Sequence, residues 1–357
     1  MDVDTHNSQS LETYPVMLEQ KSLRELILAP LKRRSDVRTM IICTDHVSRD
    51  GQDDDSITDT HDYSNGDSDT KHFDAERDDV ATVASPDPGA YWSCLLDQER
   101  FTSGLDLAYL TDAMKQLPNC KKIHISDTCT TSGAVMLKDR IGTRLCKGFD
   151  PYSRYSKHFV MRVLRTTLLA ISGSGIKVVE LDICLGLANE GGQHSITDDV
   201  FHLPDEYRLL LRHGFTNIKK LRLVVNTQND EDWDENVSEF IKLFPNLSLL
   251  WLRVANHDTS VEFSCLTEAL QALPLEVFEL VNCSTTQENL MPLLLHNQTT
   301  LKEIVLNKVN IERGTNGTWN WVKNHLRTEL PRCSLDFRDC RVAGKVPTLP
   351  MASWHEF

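Results

Sequence analysis

The glycine-rich run Ser172-Gly173-Ser174-Gly175 is the nearest approach in this sequence to a phosphate-binding loop. It lacks the Lys-Ser/Thr pair that such a loop uses, and it precedes a strand instead of opening a helix. It reads as the flexible corner between a helix ending near Ile171 and a strand at Val178. Gly191-Gly192-Gln193-His194 reads as a loop as well. No Gly-x-Ser-x-Gly elbow, His-Glu-x-x-His helix or kinase motif set occurs. The 13 histidines are dispersed, and His61-Asp62 and His257-Asp258 fall in loops without a partner at a telling spacing. Asp53-Asp54-Asp55 lacks the fixed oxygen offsets, turn glycine and terminal Glu of a calcium loop. The 10 cysteines contain no Cys-x-x-Cys pair and no Cys/His zinc spacing, so they read as reduced thiols packed as small hydrophobes. These patterns predict no catalytic group, no metal and no cofactor: the chain is not expected to be an enzyme.

The remaining chemistry is that of recognition. Trp251 is expected beside Leu249, Val277 and Val281, with Lys220, Arg222, Arg253 and Glu279 around it. A tryptophan ringed by aliphatic side chains and arginines has the makeup of a protein-binding hot spot. These eight residues converge only if short strands lie side by side and send alternate residues to the same face. On such a sheet the row through Trp251 reads His124, Asp182, Arg222, Trp251, Glu279, Val305 and Asp336.

The elements that would position them recur along the chain. Apolar residues occupy positions 1, 4 and 6 of Cys120-Ile123-Ile125, Val178-Leu181-Ile183, Ile218-Leu221-Leu223, Leu247-Leu250-Leu252, Leu275-Phe278-Leu280 and Leu301-Ile304-Leu306. Leu335-Phe337 is a weaker last copy, and Val37-Met40-Ile42 a plausible first one. From Leu221 the fourth position steps by 29, 28, 26 and 31 residues, an interval typical of leucine-rich repeats. Between the segments lie helix-period stretches: 105–117, 157–171, 198–213, 234–244, 263–273, 287–296 and 319–330. Pro118, Pro245, Pro274 and Pro331 follow four of them and punctuate the helix-to-strand corner. Strands alternating with helices at this interval predict an α/β curved solenoid, with parallel strands on the concave face and helices outside. Trp319, Val322 and Leu326 share a helix face, so the Trp319-Asn320-Trp321 run is expected to pack into the core.

Charge is concentrated. The 357 residues carry a formal charge of −14, and residues 45–89 account for −11 of it. That stretch has almost no large apolar residues and reads as a disordered insert. The folded remainder is nearly neutral, and its expected concave centre is locally basic, which makes the acidic stretch itself a candidate occupant. Ser56, with Asp59 three residues on, and Ser64, with Asp67, fit acidophilic kinase sites. An overall acidic balance argues against nucleic acid as partner. No apolar run is long enough to span a bilayer and no secretory leader opens the sequence, so a cytoplasmic or nuclear location is expected.

The segments FPNLSLLWLRV, ALPLEVFELVNC and TTLKEIVLNKVNIERGTNGTWNWVKNHLRTEL resemble the ribonuclease-inhibitor-like leucine-rich arrays of fungal F-box proteins, over roughly residues 91–340. The resemblance implies a protein-binding concave face and, in the family, an N-terminal segment that docks a Skp-type adaptor of a cullin-type ubiquitin ligase. Leu11–Arg34 has no Leu-Pro-acidic start, and Leu23–Leu28 reads as a remnant of that segment or as a capping helix. The organisation expected is an N-terminal segment (1–44), an acidic insert (45–90), the repeat array (91–340) and a C-terminal tail or cap (341–357). The leading expectation is a non-catalytic module binding a protein partner; the alternative is a substrate receptor of a cullin-type ligase.

Overall fold

The structure is a computed structural model that describes residues 12–49, 88–129, 131–143, 145–186, 195–211, 214–227, 233–255, 261–312 and 319–343. Its first half runs β1 (Thr13–Met17), α1 (Gln20–Leu28), α2 (Leu31–Asp36), β2 (Thr39–Cys43), β3 (His46–Val47), α3 (Pro88–Arg100), a π-helical turn (Phe101–Leu105), α4 (Asp106–Lys115), β4 (Lys122–Ser126), α5 (Ser132–Ile141), β5 (Cys146–Lys147), α6 (Arg154–Ser174) and β6 (Glu180–Cys184). A 3₁₀ turn (Asp198–Phe201) and α7 (Asp205–Leu211) lead to β7 (Lys220–Val225). Then come α8 (Trp233–Ile241), β8 (Leu249–Val254), α9 (Ser264–Gln271), β9 (Val277–Thr285), α10 (Gln287–Leu295), β10 (Glu303–Glu312), α11 (Trp319–Glu329), β11 (Ser334–Arg338) and β12 (Arg341–Ala343).

One large sheet has the order β1-β2-β4-β6-β7-β8-β9-β10-β11, with β12 also paired to β10. Every pairing in it is parallel. β3 and β5 form a separate antiparallel pair. The register follows the repeat, because Leu221, Leu250, Phe278, Ile304 and Leu335 are aligned across successive strands. β8 shows why the segment is a strand: Leu250, Leu252 and Val254 are fully buried while Leu249, Trp251 and Arg253 are half-buried. The buried row packs with Phe240, Phe244, Leu266 and Leu270 of the neighbouring helical segments in one continuous core. Each such leucine contributes about 1.5–3 kcal/mol by leaving water.

Helix ends are defined by side chains. Thr131, Ser153 and Thr286 accept hydrogen bonds from the backbone of Ala134, Ser156 and Asn289 and so cap α5, α6 and α10. Asp234 on α8 accepts from the Cys265 and Leu266 amides at 2.8 and 3.2 Å, capping α9 from the adjacent helix. α6 and α4 are joined by a two-pronged ion pair, Arg162 Nε to Asp106 Oδ2 at 2.7 Å and Arg162 Nη2 to Asp106 Oδ1 at 2.8 Å. Among the described residues no helix is long and apolar enough to cross a membrane.

Several expectations change. Val37–Thr44 does hold a strand, but it is the second; β1 precedes it and is paired to it in parallel, Tyr14 opposite Met40. Leu23–Leu28 lies within α1, whose Leu23 and Leu26 are fully buried beneath it. The expected insert loses both ends: His46–Val47 is β3, and α3 begins at Pro88. Ser172–Ser174 extend α6, and only Gly175, at φ +71°, makes the corner. In place of one helix over 198–213, Asp198–Phe201 is a 3₁₀ turn and Asp205–Leu211 the short α7. Trp319 is buried and donates from Nε1 to the Arg341 carbonyl at 2.7 Å, but Trp321 is 40% exposed and stacks on His325. Cys43 and Cys129 are bonded as a disulfide with Cα atoms 5.9 Å apart, so not all thiols are free. Asp53–Asp55, Ser56, Ser64, His61, Gly191–His194, His257 and the tail after Ala343 lie outside the described residues.

Candidate functional site on the open sheet face

The eight expected recognition residues fall on three adjacent strands. Lys220, Leu249 and Val277 are partners across β7, β8 and β9; so are Arg222, Trp251 and Glu279, and then Val224, Arg253 and Val281. They make a three-by-three grid with Trp251 at its centre. The Arg222 guanidinium carbon lies over the Trp251 ring, 4.8 Å from its centroid. Glu279 is the register partner of Trp251 on the opposite neighbouring strand, β9.

The third row departs from expectation. Val281, expected on the surface beside Trp251, is only 8% exposed, and Val224 in the same row is 0% exposed. They flank the longer Arg253 in register, and two short β-branched side chains beside it pack instead of reaching outward. The usable surface is therefore Lys220, Arg222, Leu249, Trp251, Arg253, Val277 and Glu279, all half-buried or exposed.

Its electrostatics differ from those of the strands beside it. On β4 and β6, Lys122 Nζ lies 2.5 Å from both Glu180 and Asp182, and His124 Nδ1 lies 3.4 Å from Asp182. Burial pushes the Asp182 carboxyl up, but hydrogen bonds from His124 and Lys122 and the charges of Lys122 and Arg222 outweigh it and leave it below the ordinary aspartate range. Burial lowers the Lys122 ammonium, yet its bonds to Asp182 and Glu180 hold it above the usual lysine value. At the far end, Arg338 is 2.5 Å from Asp336. Lys220, Arg222 and Arg253 have no such carboxylate within ion-pair distance among the described residues, and the buried Arg253 Nε has no hydrogen-bond partner there.

Sequence reading placed His124 and Asp182 on this face but did not single them out, nor Lys122 and Glu180 beside them. Their alternating signs at matched register positions were the available signal. What the sequence could not show was that Asp182 is 1% exposed. His124 beside Asp182 has the look of an acid–base pair, but Ser126 Oγ bonds Thr128 Oγ1 at 3.0 Å and not the histidine. Cys184 is equally unsuited as a nucleophile, since burial and then the Asp182 charge push its thiol up to about 12. Among the described residues no group of three or more His, Cys, Asp or Glu side chains is placed to hold a metal. A cavity of about 760 Å³ lies elsewhere, at the β1 edge, lined in part by Tyr14, Arg24, Leu28 and Arg33. The Trp251 grid is open sheet surface, suited to a broad contact more than to an enclosed small molecule.

No protein-family model matches this chain, and no curated protein matches it either.

Proposed function

We propose that the chain is a leucine-rich-repeat solenoid, non-catalytic, whose concave face binds a protein partner through the Trp251 grid. The repeat assignment is supported by the match of Ile218-Leu221-Leu223-Asn226 and Leu275-Phe278-Leu280-Cys283 to the Leu-x-x-Leu-x-Leu-x-x-Asn/Cys pattern, with the parallel ladder in that register. The binding assignment rests on one observation: a partly exposed tryptophan, overlaid by an arginine, at the centre of a sheet surface whose three cations have no carboxylate within ion-pair distance among the described residues. Hot spots combine an aromatic anchor with arginine in this way.

The test is quantitative capture from cell extract by the full chain and by Trp251→Ala. Loss of a partner with Trp251→Ala, at an unchanged thermal midpoint, supports the reading; an identical captured set for both removes it. A ligase-receptor role would use the same face for its target and a further helix for a Skp-type adaptor. With Leu23 and Leu26 of α1 committed to the core, the plain interaction module is the better supported of the two. Stoichiometric co-purification with such an adaptor would reverse that order.

A further inference from the structure

We infer that the partner segment docked on this face is an acidic, extended peptide whose carboxylates pair with Lys220, Arg222 and Arg253 while an apolar side chain rests on Trp251. The inference rests on the protein-binding reading above and names the chemistry of its partner. Charge complementarity carries it. Elsewhere on the same sheet face the cations are answered within the chain, Lys122 by Glu180 and Asp182, Arg338 by Asp336. Around Trp251 they are not: among the described residues none of the three cations lies within ion-pair distance of a carboxylate. Glu180 and Asp182, the register partners of Lys220 and Arg222 on β6, are already engaged by Lys122, and Glu279 flanks Trp251 from β9.

The spacing fits an extended chain. Lys220 and Arg222 are two residues apart on β7, so their side chains emerge about 6.6 Å apart, at 3.3 Å per residue. An extended peptide running alongside presents its residues i and i+2 on one face at the same interval. Stacking on Trp251 holds the Arg222 fork in place, so less side-chain freedom is lost when it grips a carboxylate. Glu279 on β9 and the Lys122-engaged Glu180 and Asp182 on β6 bound the cations on either side, which confines acidic residues to the strip between them on β7 and β8.

The probe is a fluorescein-labelled peptide of residues 50–62, DGQDDDSITDTHD, which contains acidic residues at i and i+2. Its control is the same peptide with every Asp replaced by Asn. Anisotropy titrations against the full chain are expected to give saturable binding to the acidic peptide. The Asn control, Arg222→Ala and Arg253→Ala are each expected to weaken it about tenfold, with partial rescue in Arg222→Lys, and raising salt from about 0.05 to 0.5 M should weaken it further. Circular dichroism and the thermal midpoint verify that each variant is folded. Equal affinity for the two peptides, or undiminished binding to the folded Arg222→Ala/Arg253→Ala double variant, overturns the inference. Partner capture that still depends on Trp251 would then leave the protein-binding reading standing. The full chain carries the same acidic stretch, so the titration is repeated on the full-length variant Asp53→Asn, Asp54→Asn, Asp55→Asn, Asp59→Asn, Asp62→Asn. Binding seen only with that variant would show the chain's own segment in the site and overturn a partner in trans.

Discussion

The guanidinium of Arg222 lies over the ring of Trp251, 4.8 Å from centroid to carbon, across one rung of the parallel ladder between β7 and β8. Neither residue belongs to the core, yet each holds the other in a defined place on the open face. A cation over an indole contributes about 0.5–1 kcal/mol at an exposed site.

That small figure separates surface from core. Trp251→Ala is expected to change unfolding free energy by about 1 kcal/mol or less. Trp233→Ala, removing a side chain that is 1% exposed and packed edge-on against Phe263, is expected to cost about 3–5 kcal/mol. Urea titrations of the two variants under identical conditions check the contrast. Comparable losses would place Trp251 in the core and remove the argument for a docking surface.

Acid should weaken the other half of the face. The folded Asp182 carboxyl sits below its unfolded value of about 3.9, so its contribution is fully present above that pH and is lost as pH falls through the folded value. Asp182→Asn is therefore expected to destabilise by about 1–3 kcal/mol near neutral pH, with the difference from wild type shrinking below about pH 4. Urea midpoints for both proteins across about pH 3–7 measure it. A difference that stays constant with pH would mean that the carboxylate charge is not what Lys122 and His124 respond to.

The repeat was legible because burial is periodic: Leu250, Phe278 and Ile304 recur at the same strand position, and each is 0–1% exposed. β1 was not, because Thr13-Tyr14-Pro15-Val16-Met17 carries a proline, which normally argues against a strand. It is tolerated here because β1 is the edge strand of the sheet formed by the described residues, paired there on one side alone. α5 escaped notice because Gly133 and scattered polar residues blur its apolar face. The alignment of Lys220, Arg222, Trp251 and Glu279 across adjacent strands followed from strand alternation alone, but the burial of Val224 and Val281 did not, since it depends on the length of neighbouring side chains across the ladder. The Cys43–Cys129 bond spans 86 residues of sequence, and no local pattern reports on such a contact.

The two-pronged pair of Asp106 and Arg162 joins α4 to α6 with a carboxylate that is 0% exposed. Removing one partner of a buried pair leaves the other charge without compensation, so Arg162→Ala is expected to cost about 3 kcal/mol or more. Arg162→Lys should recover only part of that, because an ammonium cannot reproduce two parallel hydrogen bonds to both carboxylate oxygens. Chemical denaturation of both variants checks the order. A lysine as stabilising as the arginine would show that charge alone, without the fork geometry, joins the helices.

The end of β2 is tied to the segment after β4 by the Cys43–Cys129 bond, with the remaining cysteines of the described residues free. Cys43 is fully buried beside Met17 and Ala134, whereas Cys129 is partly exposed. Alkylation of oxidised protein in denaturant is therefore expected to modify 8 of the 10 cysteines, and all of them after reduction. Cys129→Ala should show the same number of reactive thiols before and after reduction. Closing a long loop restricts the unfolded chain, so oxidised wild type is expected to exceed Cys129→Ala in stability by about 2–4 kcal/mol, and reductant should remove most of that margin. If every thiol reacts without reductant, the two sulfurs are neighbours and not a bond. The wild type and the variant would then show the same stability in oxidising and reducing buffer.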